Sequence, residues 1–310
     1  MVEADFQTLL KFVKLLNTMR LYQIAELEQL TGIKAHTIRI WEKRYNLIEP
    51  DRTVSNYRRY NDDQVKKLLN VATLLANGYK ISKIASLNNK EIHSKILESQ
   101  LHADADVICA SFINDLLAAM INYNEVAFEK TYSAVINRFG LFDGMLRVLY
   151  PLLNKIGVLW TVNDLNPAQE HFASCLIKRK IIAATDGLPS PKHKKKKFLL
   201  LLTPGEWHDI SLLFANYMIR SKGYETIYLG QDVPYENISV VARQTKPALL
   251  LTFFTVARDP KEVVEKFRKF LPNSPKLKLL ISGNPTITEH LHTKLKADVL
   301  NVPGDLLTYL

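Results

Sequence analysis

The spacing of hydrophobic and polar positions changes twice along the chain and divides it into three regions. In the first, over residues 20–90, apolar residues recur at helical spacing in short segments. Thr31-Gly32 forms a turn between the first two segments, which is the helix-turn-helix arrangement. Pro50 and Ser55-Asn56 then break the chain, and Asn61 is placed to cap the next helix. Helices are predicted over 23–30, 35–45 and 62–77, with a short one near Ser82.

The second region, over residues 104–187, contains four longer amphipathic segments. Asn122-Tyr123-Asn124 separates the first two segments, and Phe139-Gly140 separates the second from the third. Because the connections are short and each helix has one apolar face, we predict a four-helix bundle. The predicted helices are 104–122, 124–138, 141–160 and 167–186.

The third region, over residues 197–310, alternates short apolar runs with amphipathic helices. This alternation predicts a doubly wound parallel sheet of the Rossmann-like kind. A Gly-x-Gly-x-x-Gly sequence does not follow the first strand, so an ordinary dinucleotide site is not indicated. The predicted strands are 198–202, 225–229, 248–253, 278–281 and 298–301.

Composition narrows the cellular setting and the partners. The 310 residues include only two cysteines and no apolar run long enough to span a bilayer, and the N-terminus lacks a signal-peptide pattern. We therefore expect a cytoplasmic protein with no membrane partner. The net charge of +10 is consistent with a nucleic-acid partner, and basic residues are concentrated over 34–67. A second basic run, 192–197, is interpreted as a solvated linker rather than as a DNA contact.

The second helix of the helix-turn-helix carries polar and basic side chains near its start. In such proteins these positions face base edges in the major groove. Lys34 or Arg39 could pair with guanine, and either could bind phosphate instead. Trp41 and Tyr45 are interpreted as packing residues. The alternative is a basic helical domain that contacts no DNA.

Residues 21–88 resemble the MerR family of winged helix-turn-helix regulators. The matching stretches are Ile24-Ala25, Leu30-Thr31-Gly32, the run from Ile38 to Leu47 (IRIWEKRYNL), and Tyr57-Arg58-Arg59-Tyr60. The resemblance implies a wing around 52–58 and a dimeric regulator that binds a pseudo-palindromic operator. The predicted DNA-contacting residues are Lys34, His36, Thr37, Arg39, Arg44, Arg52, Tyr57, Arg58 and Arg59.

Glu206 and His208 follow the first predicted strand of the sheet, after Thr-Pro-Gly. Ligands of open α/β sheets bind at the carboxyl ends of the strands. A histidine there, with a carboxylate that fixes its tautomer, is a candidate axial ligand of a metal cofactor. The alternative is a helix N-terminus with a surface histidine.

Trp160 is followed, after nine residues, by Glu170-His171 at the start of the fourth bundle helix. An apolar plate beside a carboxylate and an imidazole suits the capping of a large flat ligand. The alternative is a core tryptophan and two exposed helix residues.

Together these motifs resemble the cobalamin-binding module of the CarH/LitR light-responsive regulators, over about residues 21–305. The resemblance implies that His208 is the lower axial ligand of cobalt, with Glu206 as its hydrogen-bond partner. It also implies an upper cap formed around an adenosyl group, a loop after the second strand, and a pocket for the nucleotide tail. The residues implied for the cap are Trp160, Glu170 and His171, those for the loop are Gly230 and Asp232, and those for the pocket are Thr252 and Gly283.

The sequence departs from that family at three positions. Ser211 stands where the family has a glycine, Ser282-Gly283 replaces Gly-Gly, and Thr161 replaces the histidine that follows the tryptophan in light-sensing members. The leading hypothesis is a regulator, not an enzyme, whose assembly into a dimer or tetramer and operator affinity depend on cobalamin, with adenosylcobalamin favoured and light as a candidate signal. A cobalamin-independent MerR-type regulator and a corrinoid carrier subunit of an enzyme are the alternatives.

Overall fold

The computed structural model describes residues 21–52, 57–76, 78–99, 105–161, 166–270 and 277–310. The chain falls into two compact units, Met1–Ala173 and Ser174–Leu310. Within the described ranges, no helix is both long and apolar enough to cross a membrane. The predicted Ser55-Asn56 break and Asn77 lie outside these ranges.

The first unit begins with a helix-turn-helix followed by a small antiparallel wing. The wing pairs β1 with β2, so that Asp51 lies opposite Arg59 and Arg52 opposite Arg58. The elements are α1 (Ile24–Thr31), α2 (Ala35–Tyr45), β1 (Asp51–Arg52), β2 (Arg58–Arg59), α3 (Asp62–Ala76), α4 (Ile81–Ile84) and α5 (Asn89–Ser99).

Local sequence signals set the ends of these helices. Gly32 closes α1 at a φ of 74°, in the left-handed region where glycine is favoured, and its N–H donates to Glu28 O at 2.8 Å. Asn61 and Gln64 form a reciprocal cap at the start of α3: Gln64 N donates to Asn61 Oδ1 at 3.1 Å, and Asn61 N donates to Gln64 Oε1 at 2.8 Å. The cap predicted at Asn61 is therefore confirmed. Trp41 is buried, as a packing residue should be.

The predicted four helices of the second region are present, with one irregular junction. Gly140 has φ 71° and ψ 172°, so the helical path changes direction at the predicted Phe139-Gly140 break. A π-helical turn, Met145–Leu149, follows. The elements are α6 (Ala105–Ile121), α7 (Glu125–Gly144), α8 (Tyr150–Thr161) and α9 (Pro167–Asp186). Within the first unit, α3 packs against α6, and Asn114 Nδ2 donates to Thr73 Oγ1 at 3.1 Å.

The second unit contains a five-stranded parallel sheet in the order β4-β3-β5-β6-β7, with helices between the strands. This is the doubly wound arrangement predicted from the sequence. The central strands are buried on both faces. The elements are β3 (His193–Leu201), α10 (Ile210–Ser221), β4 (Tyr224–Gly230), α11 (Tyr235–Thr245), β5 (Leu249–Phe254), α12 (Pro260–Phe270), β6 (Lys278–Gly283), α13 (Pro285–Leu295), β7 (Asp298–Val299) and a 3₁₀ helix, Pro303–Tyr309.

The interpretation of the basic run 192–197 as a solvated linker was wrong, because β3 begins at His193. Lys197 Nζ lies 3.1 Å from Glu225 Oε1 on the neighbouring strand. Lys196 Nζ donates to Tyr309 O at 2.5 Å and also lies over aromatic rings. Lys196 and Lys197 thus place their charges on partners while the backbone extends the sheet, which a count of charges alone cannot reveal.

Gly283 should tolerate no larger residue. It has a φ of 114°, and a Cβ there would lie 2.1 Å from Phe254 O. We expect Gly283→Ala to destabilise the second unit by about 3 kcal/mol, because strained backbone is combined with a collision against backbone. Gly304→Ala is the control, since a Cβ at Gly304 meets no atom within 4 Å. Equal thermal midpoints of the two variants by circular dichroism would contradict this expectation.

Candidate functional site

The loop between β3 and α10 holds a buried carboxylate against a half-exposed imidazole. Glu206 is fully buried, whereas the His208 side chain is 60% exposed. His208 Nδ1 lies 2.7 Å from Glu206 Oε1, and His208 N donates to the same oxygen at 3.2 Å. The carboxylate therefore fixes both the backbone and the ring of His208.

The second oxygen of Glu206 is bound by the loop after β5. Thr255 N and Val256 N donate to Oε2 at 2.8 and 3.0 Å, and Arg258 Nη2 lies 3.8 Å from it. Burial alone would raise the pKa of Glu206, but the hydrogen bonds from Val256, His208 and Thr255 together hold that pKa below its usual value. The Glu206 carboxylate thus accepts a hydrogen bond from His208 Nδ1, which carries the ring proton. The lone pair of the imidazole is therefore on Nε2.

A single imidazole nitrogen, His208 Nε2, suits a metal cofactor that already supplies most of the ligands of its metal. In the described part of the chain, no group of three His, Cys, Asp or Glu side chains could hold a bare metal ion. A corrin supplies four equatorial nitrogens to cobalt and needs only an axial donor from the protein, the role that His Nε2 commonly takes. On β5, the buried Thr252 Oγ1 has no hydrogen-bond partner among the described residues. Such a hydroxyl ordinarily has a partner, and a ligand atom can supply it. These residues fit a cobalamin.

The predicted loop residues lie at the same edge of the sheet. Asp232, just after β4, has a φ of 53°, and its Oδ1 accepts from Gly205 N at 2.7 Å. Gln231 Nε2 donates to Trp207 O at 2.6 Å. Two hydrogen bonds therefore join the loop after β4 to the loop that carries His208. Gly230 and Gly283 are the last residues of β4 and β6.

The predicted cap residues are on α8 and α9. Asn166 and Gln169 cap the start of α9, with Ala168 N donating to Asn166 Oδ1 at 3.0 Å. His171 Nδ1 lies 3.3 Å from Glu170 Oε2, and the His171 side chain is exposed. Trp160 is in the last turn of α8, but its side chain lies outside the described residues. The capping role of the three residues stays a prediction.

The predicted DNA-contacting residues are distributed over α2 and the wing. Lys34 is the N-cap residue of α2, and its Nζ lies 2.9 Å from Glu28 Oε1. His36, Arg39 and Arg44 are exposed on α2 and Thr37 is half-buried, while Arg52 and Tyr57 are exposed at the wing.

Glu42 joins the wing to α2. Its carboxylate accepts from Arg58 Nε at 3.1 Å and from Tyr60 OH at 2.5 Å, and the Glu42 side chain is only 7% exposed. Burial and this hydrogen bond raise the pKa of the Tyr60 hydroxyl, which remains a donor. Arg58 is thus engaged with α2, while Arg59 is half-buried on the neighbouring position of β2.

Two regions of the chain match families of known proteins. Residues 22–90 match the MerR HTH regulatory protein family, and residues 112–184 match the B12 binding domain family. The HTH-type transcriptional repressor CarH of Myxococcus xanthus is 27% identical over 82% of this chain and 86% of its own length. CarA of the same organism, also an HTH-type transcriptional repressor, is 28% identical over 79% of each chain.

The chain therefore carries a MerR-type helix-turn-helix domain followed by a B12-binding domain. These two domains and the similarity to CarH and CarA support a DNA-binding transcription regulator rather than an enzyme. The Methanosarcina barkeri monomethylamine corrinoid protein shares the fold, with a TM-score of 0.54 at 17% identity over 64% of this chain and 96% of that one.

Two of the departures of this MerR-type regulator have a structural setting. Ser282 Oγ donates to Leu300 O at 2.7 Å, so its hydroxyl is used within the sheet. Ser211 is half-buried in the first turn of α10. The third departure, Thr161, ends α8, and its side chain lies outside the described residues.

Sequence reasoning missed the supports of the site in this regulator. Arg258 reaches Glu206 from the loop after β5, and its Nη1 also donates to Thr203 Oγ1 at 3.3 Å. Glu42 was not singled out because an acidic residue among basic ones on a helix is ordinarily exposed. Long-range pairs of this kind leave no local pattern in a single sequence.

Replacement of Glu206 should destabilise the apoprotein in a pH-dependent way. Since folding lowers the pKa of Glu206, its stabilising effect is complete above the ordinary pKa of 4.5 and is lost as the pH falls below that value. We expect Glu206→Gln to remove about 2–3 kcal/mol at pH 7, because the amide cannot accept all of these hydrogen bonds. In urea unfolding, the difference from wild type should shrink below that pKa. Glu265→Gln, on an exposed pair with Arg268, is the control. A pH-independent difference would contradict the assignment.

Arg39 should contribute to DNA affinity. We expect Arg39→Ala to weaken binding about tenfold to a duplex that the wild-type chain selects from a random pool. A phosphate contact predicts that the slope of log K against log salt falls by about one, whereas a guanine contact predicts a relaxed preference at one base pair. Fluorescence anisotropy over a salt series measures both, with the exposed Lys130→Ala as control. Unchanged affinity would remove Arg39 from the interface.

Proposed function

We propose that His208 binds the cobalt of a cobalamin as its lower axial ligand and that this binding sets the affinity of the regulator for its operator. The observation that carries the proposal is the His208–Glu206 pair, in which a buried carboxylate holds Nδ1 and leaves Nε2 on a half-exposed ring. This is the arrangement by which metal-binding histidines are oriented and made more basic. The family match to B12 binding domains supports the same ligand.

Each remaining site residue has a role in this proposal. Glu206 fixes the tautomer of His208. Thr252 Oγ1 hydrogen-bonds the nucleotide tail, since no described residue competes for this hydroxyl. Gly230, Asp232 and Gly283 shape the strand ends around that tail. Trp160, Glu170 and His171 cover the upper face of the corrin.

Adenosylcobalamin is the favoured form, and light is the candidate signal. When bound, adenosylcobalamin supplies a cobalt–carbon bond that light can break. Because Thr161 follows Trp160, a histidine is not present there to bind cobalt after illumination. His171 or water would take that place, so the illuminated state of this chain is expected to differ from that of members with a histidine at this position.

The signal reaches DNA through assembly. We infer that cobalamin stabilises one homo-oligomeric state, a dimer or tetramer, and that this state presents several helix-turn-helix units to one operator. A shift from 1% to 99% of that state requires about 10⁴-fold tighter binding of the ligand to it. Two relatives are named repressors, and we infer that the DNA-bound form of this chain also represses. The cytoplasmic location stays a prediction.

The second candidate function is a MerR-type regulator that has lost cobalamin control. Ser211 and Ser282 motivate it, because each adds atoms where the family has glycine. The hydrogen bond from Ser282 to Leu300 favours the first candidate, since the hydroxyl is already satisfied within the sheet.

An absorbance titration with adenosylcobalamin distinguishes the two candidates. We expect the wild-type chain to retain the corrinoid through gel filtration in the dark and to change its DNA affinity when it does so. His208→Ala should weaken corrinoid binding about 10- to 100-fold, as the loss of an axial ligand would, and should uncouple DNA binding from the corrinoid. His290→Ala on α13 is the control. No retained corrin spectrum and equal operator affinity in wild type and His208→Ala would establish the second candidate.

A further inference from the structure

The residue that follows His208 does not make the interaction expected at its position. Asp209 is the N-cap residue of α10, where an aspartate side chain ordinarily accepts a hydrogen bond from the first helical turn. Its side chain makes no such bond. Instead, Asp209 Oδ1 lies 2.6 Å from Lys178 Nζ on α9. A tertiary ion pair has replaced a favourable local interaction.

This pair is shielded from water more than a surface pair is. The Lys178 side chain is 29% exposed and that of Asp209 is 15% exposed. Ion pairs on exposed surfaces contribute little, whereas removal of one partner from a desolvated pair leaves an uncompensated charge. The Lys178–Asp209 ion pair therefore constrains the backbone at Asp209 more firmly than an ion pair on the exposed surface would.

His208 consequently has an anchored carboxylate on each side. Glu206 is held by backbone amides of the loop after β5, and Asp209 is held by Lys178. The Glu206 contact orients the ring, and the Lys178 contact fixes the chain at the point where the loop enters α10. Strong binding at Nε2 needs both contacts. If the backbone were mobile, an imidazole with a fixed tautomer would still lose conformational entropy on coordination.

We propose that Lys178 is a positioning residue for His208, and that its ion pair with Asp209 strengthens the axial binding of cobalt by His208. The proposal rests on the proposed function, since it presupposes that His208 is a cobalt ligand. Lys178 acts through Asp209 and does not itself touch the corrin. The class of ligand concerned is a corrinoid bound through an imidazole.

The test uses the full chain, labelled with ¹⁵N-histidine, and cob(II)alamin as the probe, so that the splitting from a histidine nitrogen is distinct from that of the cofactor's own benzimidazole nitrogen. Lys178→Met removes the charge and retains the stem, whereas Asp209→Asn removes the charge and retains the capacity to cap α10. Each is expected to weaken cob(II)alamin binding about tenfold and to reduce the imidazole-nitrogen splitting in the electron paramagnetic resonance spectrum. The double variant should match the single variants, because both remove one interaction. Lys178→Arg should restore most of the affinity and the splitting.

Controls separate positioning from general stability. Lys294→Met, on α13 and exposed, should bind as wild type does. Thermal midpoints of the apoproteins distinguish a purely structural role: a lowered midpoint with unchanged affinity and splitting would overturn the proposal. If Lys178→Met fails to fold, Asp209→Asn decides, since it removes the ion pair and preserves the side-chain volume.

The outcomes also separate this inference from the proposed function. Absence of nitrogen splitting in wild type, or equal spectra of wild type and His208→Ala, would refute the proposed function and this inference with it. Splitting in wild type that is lost in His208→Ala but kept in both Lys178→Met and Asp209→Asn would overturn this inference alone.

Discussion

The arrangement of the candidate cofactor site depends on the buried carboxylate of Glu206. This carboxylate is placed where β3 ends, and a carboxylate without water must find several donors. It finds them in the His208 backbone and ring and in two amides of the loop after β5. One side chain therefore joins two strand ends of the parallel sheet and determines which nitrogen of the imidazole is available.

An analogous buried carboxylate organises the DNA-reading domain. Glu42 on α2 accepts from Arg58 and Tyr60, so the wing and the second helix of the helix-turn-helix are joined by hydrogen bonds. The two sites share one physical device: an acidic side chain withdrawn from water holds basic or polar groups in place. In both, the residue that would contact the ligand is positioned by a neighbour that would not.

The sequence predicts whatever depends on local pattern. The cap at Asn61, the break at Gly140, the five parallel strands and the close contact of Glu206 with His208 follow from short-range signals, and the structure has them. The sequence did not predict that β3 extends into the lysine run. A strand whose lysines form ion pairs and other tertiary contacts has the same composition as a solvated linker. Arg258 and Lys178 could not be found either, since each reaches its partner across a distance in sequence that only the fold closes.

The packing of α3 on α6 determines where the chain can be truncated to separate the DNA-reading domain from the helical bundle. Thr73 is buried and accepts a hydrogen bond from Asn114, so the helix that completes the DNA-reading domain also forms one side of the contact with the first bundle helix. A fragment cut after α5 would expose that face to water. The DNA-reading part is thus not an interchangeable module, and transplanting it onto another sensor would require carrying α6 with it.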